Sequence, residues 1–547
     1  MIRRFTIGSL LPFFASSLIA NAQTPTSNYT LTILHHNDLH ARVDQVTMSG
    51  SNCTPKDAEA QKCFGGYARI ASFINQIRQQ KANQAVIVLN AGDSFQGSLF
   101  YTYYKSAALW PFINYIQYDA VTLGNHEFDN GVPELVEFLK NSENLKLVVA
   151  NINTDKEPTL KPYISRSTVI TKQGEKIGVI GLITEETAIL ASPGPNVAFE
   201  NLRNSLEREV KILQSQGVNK IIALTHIGLA EDVKLAAAVE GVDVYVGGHS
   251  HTLLSNTGKD AGGPYPIVVK RPSGDPVLVV QSYYAGIYFG DLEVTFNEKG
   301  VPISWKGDTV LLDSKIPQDQ QLAAMVAKLA EPLQVFRQKE VGSTSVELIG
   351  NRDVCRYEEC NLGNLISDAL LYATRKQKTQ IAFQNGGGIR TSIPQGKINL
   401  GQILEVLPFS NNISVFGLKG SDVRLALENG VSRAETNTNE GTGRFLQVSG
   451  LRYSWDPKKP VGSRILDVQV RQVDGKFTPL QNNIVYQVTT NDFLRIGGDG
   501  FSVFKEKAIN PSDNGMNLED ALVEYIEMLL IDSPAIAPKT EGRINRQ

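Results

Sequence analysis

Five segments in the first half of the chain place a metal-ligating side chain directly after an apolar run. These side chains are Asp38 and His40 after LTILHH, Asp93 after AVIVLNAG, Asn125 and His126 after DAVTLG, His226 after KIIALT, and His249 and His251 after VDVYVGG. Open α/β sheets bind their ligands at the carboxyl ends of the strands. If the apolar runs are strands, these side chains are predicted to meet at one edge of the fold.

The distribution of histidine supports this interpretation. The chain has seven histidines, and all of them lie in these segments, at or before residue 251. An isolated histidine after a strand is usually a hydrogen-bonded structural residue, but the same arrangement at five strand ends calls for a common chemical reason. His35 and His36 lie inside the first run, so we interpret His35 as structural and His36 as a packing residue or a support for the ligands.

Mixed aspartate, histidine and asparagine side chains suit borderline or hard divalent ions such as zinc, manganese or cobalt. A carboxylate that bridges two ions about 3.5–4 Å apart creates a centre that activates water and stabilises charge on a phosphoryl group. Asp93 is central in chain order among the five segments, so we expect it to be the bridge. The sequence therefore predicts a site that needs two divalent metal ions.

The segments that position these residues alternate apolar runs with stretches of helical spacing. Helices are predicted at GGYARIASFINQIRQQ, VPELVEFLKNS and NLRNSLEREVKILQSQ, and further strands at LKLVVANI and KIGVIGLIT. Such alternation, with continuous apolar strands, predicts an α/β domain whose sheet is covered on both faces. Antiparallel strands with a turn at Lys299-Gly300 are predicted to follow it.

The length of the chain predicts two domains. It has 547 residues, and single cores stop growing near about 250–300 residues. Residues 317–340 combine helical periodicity with many polar positions, which is typical of a connector between domains. We expect a first domain over residues 23–316, a linker helix over 317–340 and a second domain over 341–547.

Composition narrows the functional classes. Hydrophobic residues make up 42% of the chain and charged residues 20%, values that are ordinary for a soluble globular protein, and the formal net charge is −3. Non-specific binding to nucleic acid needs a basic face, so we expect no nucleic-acid partner. A local basic pocket for a small anion is compatible with this charge.

The first 22 residues have the pattern of a secretory signal peptide. Arg3 and Arg4 precede a mostly apolar run over residues 7–20, and Ala20-Asn21-Ala22 is a small-residue cleavage site. A membrane anchor is the alternative, but the run is short for a span and contains Pro12. No later stretch is apolar enough to cross a bilayer, and the polar C-terminus lacks a lipid-anchor signal. We expect a periplasmic or secreted protein without a membrane anchor.

The four cysteines form two pairs that are local in sequence. Cys53 with Cys63 and Cys355 with Cys360 is the simplest of three possible pairings, and an even count in an oxidising compartment favours disulfides. The C-x4-C spacing would also fit a metal site. Because no histidine lies near either pair, disulfides are the preferred interpretation.

The motifs NDLHAR, NAGDSFQG, GNHEFD, THIG and GGHSH resemble the five signature blocks of the calcineurin-like metallophosphoesterases, and their order and companions resemble the 5'-nucleotidase family. The resemblance covers nearly the whole chain after the leader. It implies an N-terminal four-layer α/β sandwich joined by a linker helix to a C-terminal α+β substrate-binding domain.

The resemblance also implies roles for individual residues. One metal site corresponds to Asp38, His40, Asp93 and His251, and the other to Asp93, Asn125, His226 and His249. His126 corresponds to the histidine that stabilises the transition state. Asp129 corresponds to the acid that orients this imidazole and favours its charged form.

The second half resembles the C-terminal blocks of the same family in CRYEECNLGNL, NGGGIR, LPFSNN and NDFLRIGGDGF. The resemblance implies that Arg356 and Arg390 bind phosphate, a task that suits the fork-shaped, permanently charged guanidinium. The remaining implied contacts are hydrogen bonds from Asn385 and Asn411, a base stacked between Phe409 and Phe493, and ribose hydroxyls that donate to Asp499. Without the resemblance, NGGGIR would be interpreted as a turn with a surface arginine.

The predicted function is hydrolysis of nucleoside 5'-monophosphates by a monomer or homodimer, and the resemblance implies that the C-terminal domain rotates to deliver the substrate. Nucleoside di- and triphosphates, UDP-sugars and cyclic nucleotides are alternatives within the family. A sulfate thioester, the substrate of a more distant class, would leave Phe409 and Phe493 unexplained. A non-catalytic secreted nucleotide-binding protein would be expected to lack a ligand or His126, and none is missing.

Overall fold

The structure is a computed structural model that describes residues 28–547, except residues 49, 51, 259, 410, 435–442 and 513–515. The predicted signal peptide lies outside the described residues. The two halves of the chain form separate sheets and separate hydrophobic cores.

The first half contains thirteen described strands and eight α-helices. The strands are β1 (Tyr29–His36), β2 (Ala85–Asn90), β3 (Ala120–Val121), β4 (Ile152–Asn153), β5 (Ser167–Lys172), β6 (Glu175–Ile183), β7 (Ala198–Phe199), β8 (Lys220–His226), β9 (Val244–Val246), β10 (Ile267–Lys270), β11 (Pro276–Val280), β12 (Tyr288–Phe296) and β13 (Pro302–Leu311). The helices are α1 (Pro55–Glu59), α2 (Tyr67–Gln80), α3 (Leu99–Tyr104), α4 (Trp110–Ile116), α5 (Gly131–Asn141), α6 (Thr187–Leu190), α7 (Leu202–Ser215) and α8 (Leu229–Ala238).

Two sheets pack face to face in this half. One has the order β13-β12-β1-β2-β3 and the other the order β10-β11-β9-β8-β6-β5. The strands that end at the candidate ligands are parallel: β1, β2 and β3 in the first sheet, and β8 and β9 in the second. Parallel strands place their carboxyl ends on one side of a sheet, so the ligands of each sheet share an edge.

Side chains that alternate along the strands build the four predicted layers. Ile33 and Leu89 face the second sheet and share a core with Leu224, whereas Leu34 faces α2 and α4 on the outer side of the first sheet. On the outer side of the second sheet, Ile180 packs against α7. Both sheets are therefore buried on both faces, which explains their continuous apolar strands.

Residues 145–152 differ from the predicted strand. Their backbone joins the two sheets: Val148 N–H donates to Val121 at 2.9 Å, and Ala150 N–H donates to Gly181 in β6 at 2.8 Å. A Cβ at Gly181 would overlap the carbonyl of Val148, so glycine permits this approach. Because successive residues bond to different sheets, only β4 is a regular strand here. The predicted strand at DAVTLG, residues 119–124, is likewise reduced to β3.

The predicted linker helix is two helices, α9 (Gln320–Ala330) and α10 (Gln334–Gln338), separated around Pro332. Proline lacks the N–H that a continuous helix needs and clashes with the preceding turn. Leu322 and Val326 of α9 are buried in the core of the first domain, and Tyr104 Oη donates to the carbonyl of Leu329 at 3.1 Å. The helix α9 therefore packs on the first domain rather than standing between the two.

The second half contains eleven described strands and seven α-helices. The strands are β14 (Glu340–Thr344), β15 (Ile381–Asn385), β16 (Gly396–Asn399), β17 (Ile413–Lys419), β18 (Leu446–Ser449), β19 (Leu451–Trp455), β20 (Ile465–Arg471), β21 (Phe477–Pro479), β22 (Val485–Asn491), β23 (Ile509–Ser512) and β24 (Ile544–Arg546). The helices are α11 (Arg352–Cys355), α12 (Asn361–Ala373), α13 (Leu400–Val406), α14 (Gly420–Val431), α15 (Asp492–Arg495), α16 (Ser502–Lys507) and α17 (Leu518–Leu529).

A mixed five-stranded sheet of order β18-β15-β22-β17-β23 organises the second half. Neighbouring residues of β15 face opposite cores: Phe383 packs with α14 and α16, and Ala382 packs with α12 and α17. A four-stranded sheet of order β21-β20-β19-β24 adjoins it. Strand β15 pairs in parallel with β22, whereas the other three strand pairs of the five-stranded sheet are antiparallel, which confirms the predicted α+β class.

Both predicted disulfides are present. Cys53 is bonded to Cys63 with their Cα atoms 5.7 Å apart, and Cys355 is bonded to Cys360 with their Cα atoms 5.2 Å apart. None of the helices in the described part of the chain combines the length and apolar character needed to span a bilayer.

Candidate two-metal active site

The candidate ligands lie at the strand ends where the sequence placed them. Asp38 and His40 follow β1, Asp93 follows β2, His226 ends β8, and Asn125 lies in a 3-10 turn, residues 125–128, shortly after β3. His249 and His251 follow β9. The two sheets therefore present their ligands to a common cleft.

The backbone is left-handed at five of these residues. Asp38, His40, Asp93, His249 and His251 have φ angles between 50° and 78°. This conformation costs a non-glycine residue about 1–3 kcal/mol and persists only where surrounding structure enforces it. Its recurrence at five candidate ligands indicates that the loops are built to aim these side chains.

Three ligand atoms of the first sheet and of the β9 loop converge on one point. His251 Nε2 lies 3.0 Å from His40 Nε2 and 3.1 Å from Asp38 Oδ1. All three residues offer atoms within 4.8 Å of one another. Two imidazole nitrogens and a carboxylate oxygen in this arrangement suit a divalent cation.

A second group consists of Asp93, His226 and His249, whose ligand atoms also lie within 4.8 Å of one another. Asp93 Oδ2 is 3.1 Å from His226 Nε2 in this group and 3.9 Å from His40 Nε2 in the first. The carboxylate of Asp93 therefore lies between the two groups, where a bridging ligand belongs. A Cβ at Gly124 would overlap this carboxylate, so the neighbouring loop requires glycine.

Buried oxygen atoms of the candidate ligands also suit divalent metals. Asp38 Oδ1 and Asn125 Oδ1 are buried and have no hydrogen-bond partner within the described parts of the chain. A buried polar atom without a partner is costly, and a bound cation satisfies it. Asn125 is thus available to complete the second group.

The electrostatics of the cluster also suit cations. Burial, together with Arg390, holds the pKa of His40 well below its ordinary value, and burial with His226 lowers the pKa of His249 to about 4. Neutral imidazoles are the form that binds metals. Burial lowers the pKa of His226 too, but the carboxylates of Asp93 and Asp38 outweigh it and raise the pKa to about 10. These carboxylates attract positive charge, which divalent ions supply.

His126 and Asp129 form a tight pair at the mouth of the cluster. His126 Nδ1 lies 2.6 Å from Asp129 Oδ2. Burial lowers the pKa of His126, but Asp129 and Asp93 outweigh it, so the pKa is raised. His126 also has a ligand atom within 4.8 Å of those of His40 and Asp93, so distance alone would admit it as a metal ligand.

His35 and His36 are buried and bonded to tyrosines. His35 Nε2 lies 2.8 Å from Tyr265 Oη, and His36 Nε2 lies 2.7 Å from Tyr118 Oη. Burial lowers the pKa of both to about 3, so both are neutral. They fill the two faces of β1 below the ligand loops, as a packing role requires.

A cavity of about 1020 Å³ lies between the two domains at this site. From the first domain it is lined by Asp93, Asn125, His126, Asp129, His249 and His251. From the second domain it is lined by all seven residues predicted to contact substrate: Arg356, Asn385, Arg390, Phe409, Asn411, Phe493 and Asp499. Asp38, His40 and His226 are buried beneath its floor.

Contacts across the cavity bring the domains close together. Arg390 Nη2 lies 3.4 Å from His40 Nε2, and the Phe409 ring is stacked on His126 with centroids 5.9 Å apart. The Arg390 guanidinium also lies over the Phe409 ring, 5.6 Å from its centroid. The arginine of the second domain thus reaches the ligand cluster of the first.

The polar residues of the second domain are held by hydrogen bonds. Asn385 Nδ2 donates to Asp499 Oδ2 at 2.7 Å, and Asn491 Nδ2 donates to Asn385 Oδ1 at 3.0 Å. Asn411 Nδ2 donates to Asp492 Oδ1 at 2.8 Å. Asp499 is left-handed, with φ 53°. The two asparagines and Asp499 are therefore fixed in orientation before a ligand arrives.

Sequence reasoning missed two residues that belong to the site. Arg352, the first residue of α11, lines the cavity with Arg356, which lies four residues further on and directly follows that helix. That spacing, about one helical turn, is the signal that could have identified it. Glu127 lies between His126 and Asp129, and its buried carboxylate bonds to the loops that hold the ligands. No periodic pattern identifies such a backbone contact.

The fold and the paired candidate ligand groups define a class of protein. Comparison with known proteins gives the same class. The sequence model of the calcineurin-like phosphoesterases matches residues 31–253, and that of the 5'-nucleotidase C-terminal domain matches residues 340–506. The chain is thus a calcineurin-like phosphoesterase, a class of metal-dependent hydrolases.

Similar proteins specify the family. The chain is 38% identical to a 5'-nucleotidase of Diplobatis ommata, with 94% of this chain and 90% of that protein covered. It is 37% identical to a snake venom 5'-nucleotidase of Crotalus adamanteus, with 94% and 89% covered. The crystal structure of a 5'-nucleotidase precursor from Thermus thermophilus is similar with a TM-score of 0.87 and 41% identity, with 95% and 99% covered. The chain belongs to the 5'-nucleotidase family.

Replacement of His126 by alanine tests whether it lies outside the ligand sets. We expect turnover to fall by about 10²–10⁴-fold, the usual range for a positioned acid or transition-state donor. Metal content, measured by atomic absorption on folded protein, should stay at the wild-type level. His249→Ala is the matched control, because it removes a ligand and should lower metal content. Loss of metal from His126→Ala would make His126 a ligand instead.

Proposed function

We propose that the protein hydrolyses nucleoside 5'-monophosphates to nucleosides and phosphate by a two-metal mechanism. One observation supports this most directly: the cavity that opens onto the ligand cluster of the first domain is lined on its other side by arginine, asparagine and phenylalanine residues of the second. A nucleotide has the matching chemistry, an anionic phosphate at one end and a flat base at the other.

The two metal sites use the ligand groups described above. Asp38, His40, Asp93 and His251 would hold one ion, and Asp93, Asn125, His226 and His249 the other. When bound, such ions activate water and neutralise charge on a phosphoryl group. Zinc, manganese and cobalt suit the donor set, since it mixes imidazole with carboxylate and amide oxygen.

His126 acts beside these ligands. Asp129 Oδ2, at 2.6 Å from His126 Nδ1, fixes the ring and favours a proton on both nitrogens. The Nε2–H then donates to a phosphoryl oxygen whose negative charge grows as the ester bond breaks.

The second domain binds the rest of the substrate. Arg390 and Arg356 donate to phosphate oxygens, and the position of Arg390 beside His40 puts its charge next to the reacting group. Phe409 and Phe493 stack on the two faces of the base. Asn385 and Asn411 donate hydrogen bonds, and Asp499, oriented by Asn385, accepts from ribose hydroxyls.

We also propose the setting in which this activity occurs. The leader over residues 1–22, the two disulfides and the similarity to a venom protein support a periplasmic or secreted enzyme. The domains are proposed to extend over residues 23–316 and 341–547, joined by 317–340. The active unit is proposed to be a monomer or homodimer, because one chain supplies both sides of the cavity.

A second candidate is hydrolysis of larger phosphate compounds, such as nucleoside diphosphates or UDP-sugars. Two features favour it. The cavity, about 1020 Å³, lies at the upper limit of the about 300–1,000 Å³ that is usual for a site that binds a small molecule. Arg352 adds a third guanidinium to its lining. Extra volume and extra positive charge would accommodate a second phosphoryl group.

Removal of the metals should abolish activity. We expect excess chelator, followed by dialysis, to eliminate phosphate release from AMP, and added manganese, cobalt or zinc to restore it. Asp93→Asn should be the most damaging ligand substitution because it weakens both sites at once. Full turnover in chelator would exclude the two-metal mechanism.

A panel of substrates separates the two candidate functions. We expect phosphate release with the highest kcat/KM for nucleoside 5'-monophosphates, and lower values for ADP, UDP-glucose and cyclic AMP. The Arg352→Ala variant provides the comparison, since it removes a charge that a monophosphate does not require. A higher kcat/KM for ADP or UDP-glucose than for AMP would favour the second candidate.

Removal of either phenylalanine should weaken the binding of AMP. Stacking on an aromatic ring is worth about 1–3 kcal/mol per base, so Phe409→Ala or Phe493→Ala should raise the KM for AMP by about 5–150-fold. Ribose 5-phosphate has no base and should lose little.

The comparison requires folded protein, because truncation of a buried phenylalanine costs about 3–5 kcal/mol of stability. Thermal melting of each variant provides that control. An equal rise in KM for AMP and ribose 5-phosphate would show that the rings do not stack on a base.

A further inference from the structure

Glu127 forms an unusual buried contact beside the ligand cluster. Its side chain is 3% exposed. Oε1 accepts from Ser94 N–H at 2.6 Å and from Phe95 N–H at 3.1 Å. Oε2 accepts from Asp93 N–H at 3.0 Å and from Gly124 N–H at 2.6 Å. Each carboxylate oxygen therefore accepts two backbone hydrogen bonds.

These four N–H groups belong to two of the loops that carry candidate ligands of the second metal group, those of Asp93 and Asn125. Three belong to the consecutive residues Asp93, Ser94 and Phe95 in the loop after β2, and the fourth belongs to Gly124 in the loop after β3, directly before Asn125. Both loops leave the same edge of the first sheet. A single carboxylate thus joins two ligand loops at a fixed separation.

The contact also determines where the bridging carboxylate points. Asp93 is left-handed, with φ 53°, and Glu127 binds its N–H in that conformation. The Asp93 side chain in turn accepts from His126 N–H through Oδ1 at 2.9 Å. Backbone and side chain of Asp93 are therefore both bonded to the 125–128 turn, which leaves Oδ2 facing the histidines.

We propose that Glu127 is a positioning residue of the two-metal centre: its carboxylate holds the β2 and β3 loops together so that Asp93 and Asn125 reach the same ion. This assignment rests on the two-metal function proposed above. Glu127 touches neither substrate nor a reacting atom in this account, and it acts through the backbone of the residues it binds.

The four hydrogen bonds require a side chain that has two acceptor oxygens and the length of glutamate. Glutamine has the same length but only one acceptor oxygen, so its NH₂ would face two backbone N–H groups whichever way the amide turned. Aspartate keeps both oxygens and the charge but is one methylene shorter, so it cannot reach both loops. Neither substitution should preserve the contact.

The experiment measures the metal affinity of Glu127→Gln and Glu127→Asp by competition with a chromophoric chelator, using zinc and manganese. Glu428→Gln is the matched control. Glu428 is a buried glutamate of the second domain whose oxygens accept from Arg464 N–H at 3.0 Å and from Ile465 N–H at 2.8 Å, outside the cavity. Thermal melting identifies the variants that fold.

We expect both Glu127 variants to bind metal about 10–100-fold more weakly, the usual effect of losing a group that orients ligands. Excess manganese should restore much of the turnover, and the KM for AMP at saturating metal should remain at the wild-type value. Glu428→Gln should lower the melting temperature without changing metal affinity. This combination of results distinguishes a loss of ligand positioning from a general loss of protein stability.

Three results would overturn the proposal. Metal affinity of folded Glu127→Gln equal to that of wild type would show that the contact does not position ligands. Wild-type affinity in Glu127→Asp would show that negative charge alone suffices. Equal loss of metal in Glu428→Gln would assign the effect to stability. Chelator-resistant turnover of the wild type would instead refute the two-metal function itself, so the two failures are distinguishable.

Discussion

Two carboxylates, one asparagine and four imidazoles must be buried within a few ångströms of one another, and the rest of the first domain serves that requirement. Polar groups in such a place are costly unless they are paired or bind a metal. Two sheets buried on both faces supply a rigid base, from which short loops project the ligands. The left-handed backbone at five candidate ligands is stable only because these loops are bonded to that base.

The positions of the candidate ligands were predictable because their signal is local. Each follows an apolar strand, and all seven histidines of the chain lie in these segments. The four layers were predictable for the same reason. The irregular backbone over residues 145–152 was not predictable. Residues that bond to two different sheets have the same apolar character as those of a regular strand. Periodicity also could not locate the interruption at Pro332, where backbone chemistry outweighs a helical pattern.

The second domain shows a different limit of sequence reasoning. Phe409 and Arg390 have no local pattern that separates a binding residue from a core phenylalanine or a surface arginine. Their significance appears only when the chain is folded, because the cavity brings them to residues more than 250 positions away in sequence, such as His126 and His40. Family resemblance singled them out as candidates because it summarises this three-dimensional relationship.

The packing of the two short helices restricts how the domains can move. The helix α9 is buried against the first domain, whereas α10 packs on α13 of the second, so the chain crosses between domains in the few residues from Ala330 to Gln334. A crossing this short cannot lengthen enough to let the domains separate. It can act as a swivel, in which torsion about the backbone near Pro332 turns one body while its distance from the other stays nearly constant. Opening of the cavity is therefore confined to an arc rather than a withdrawal.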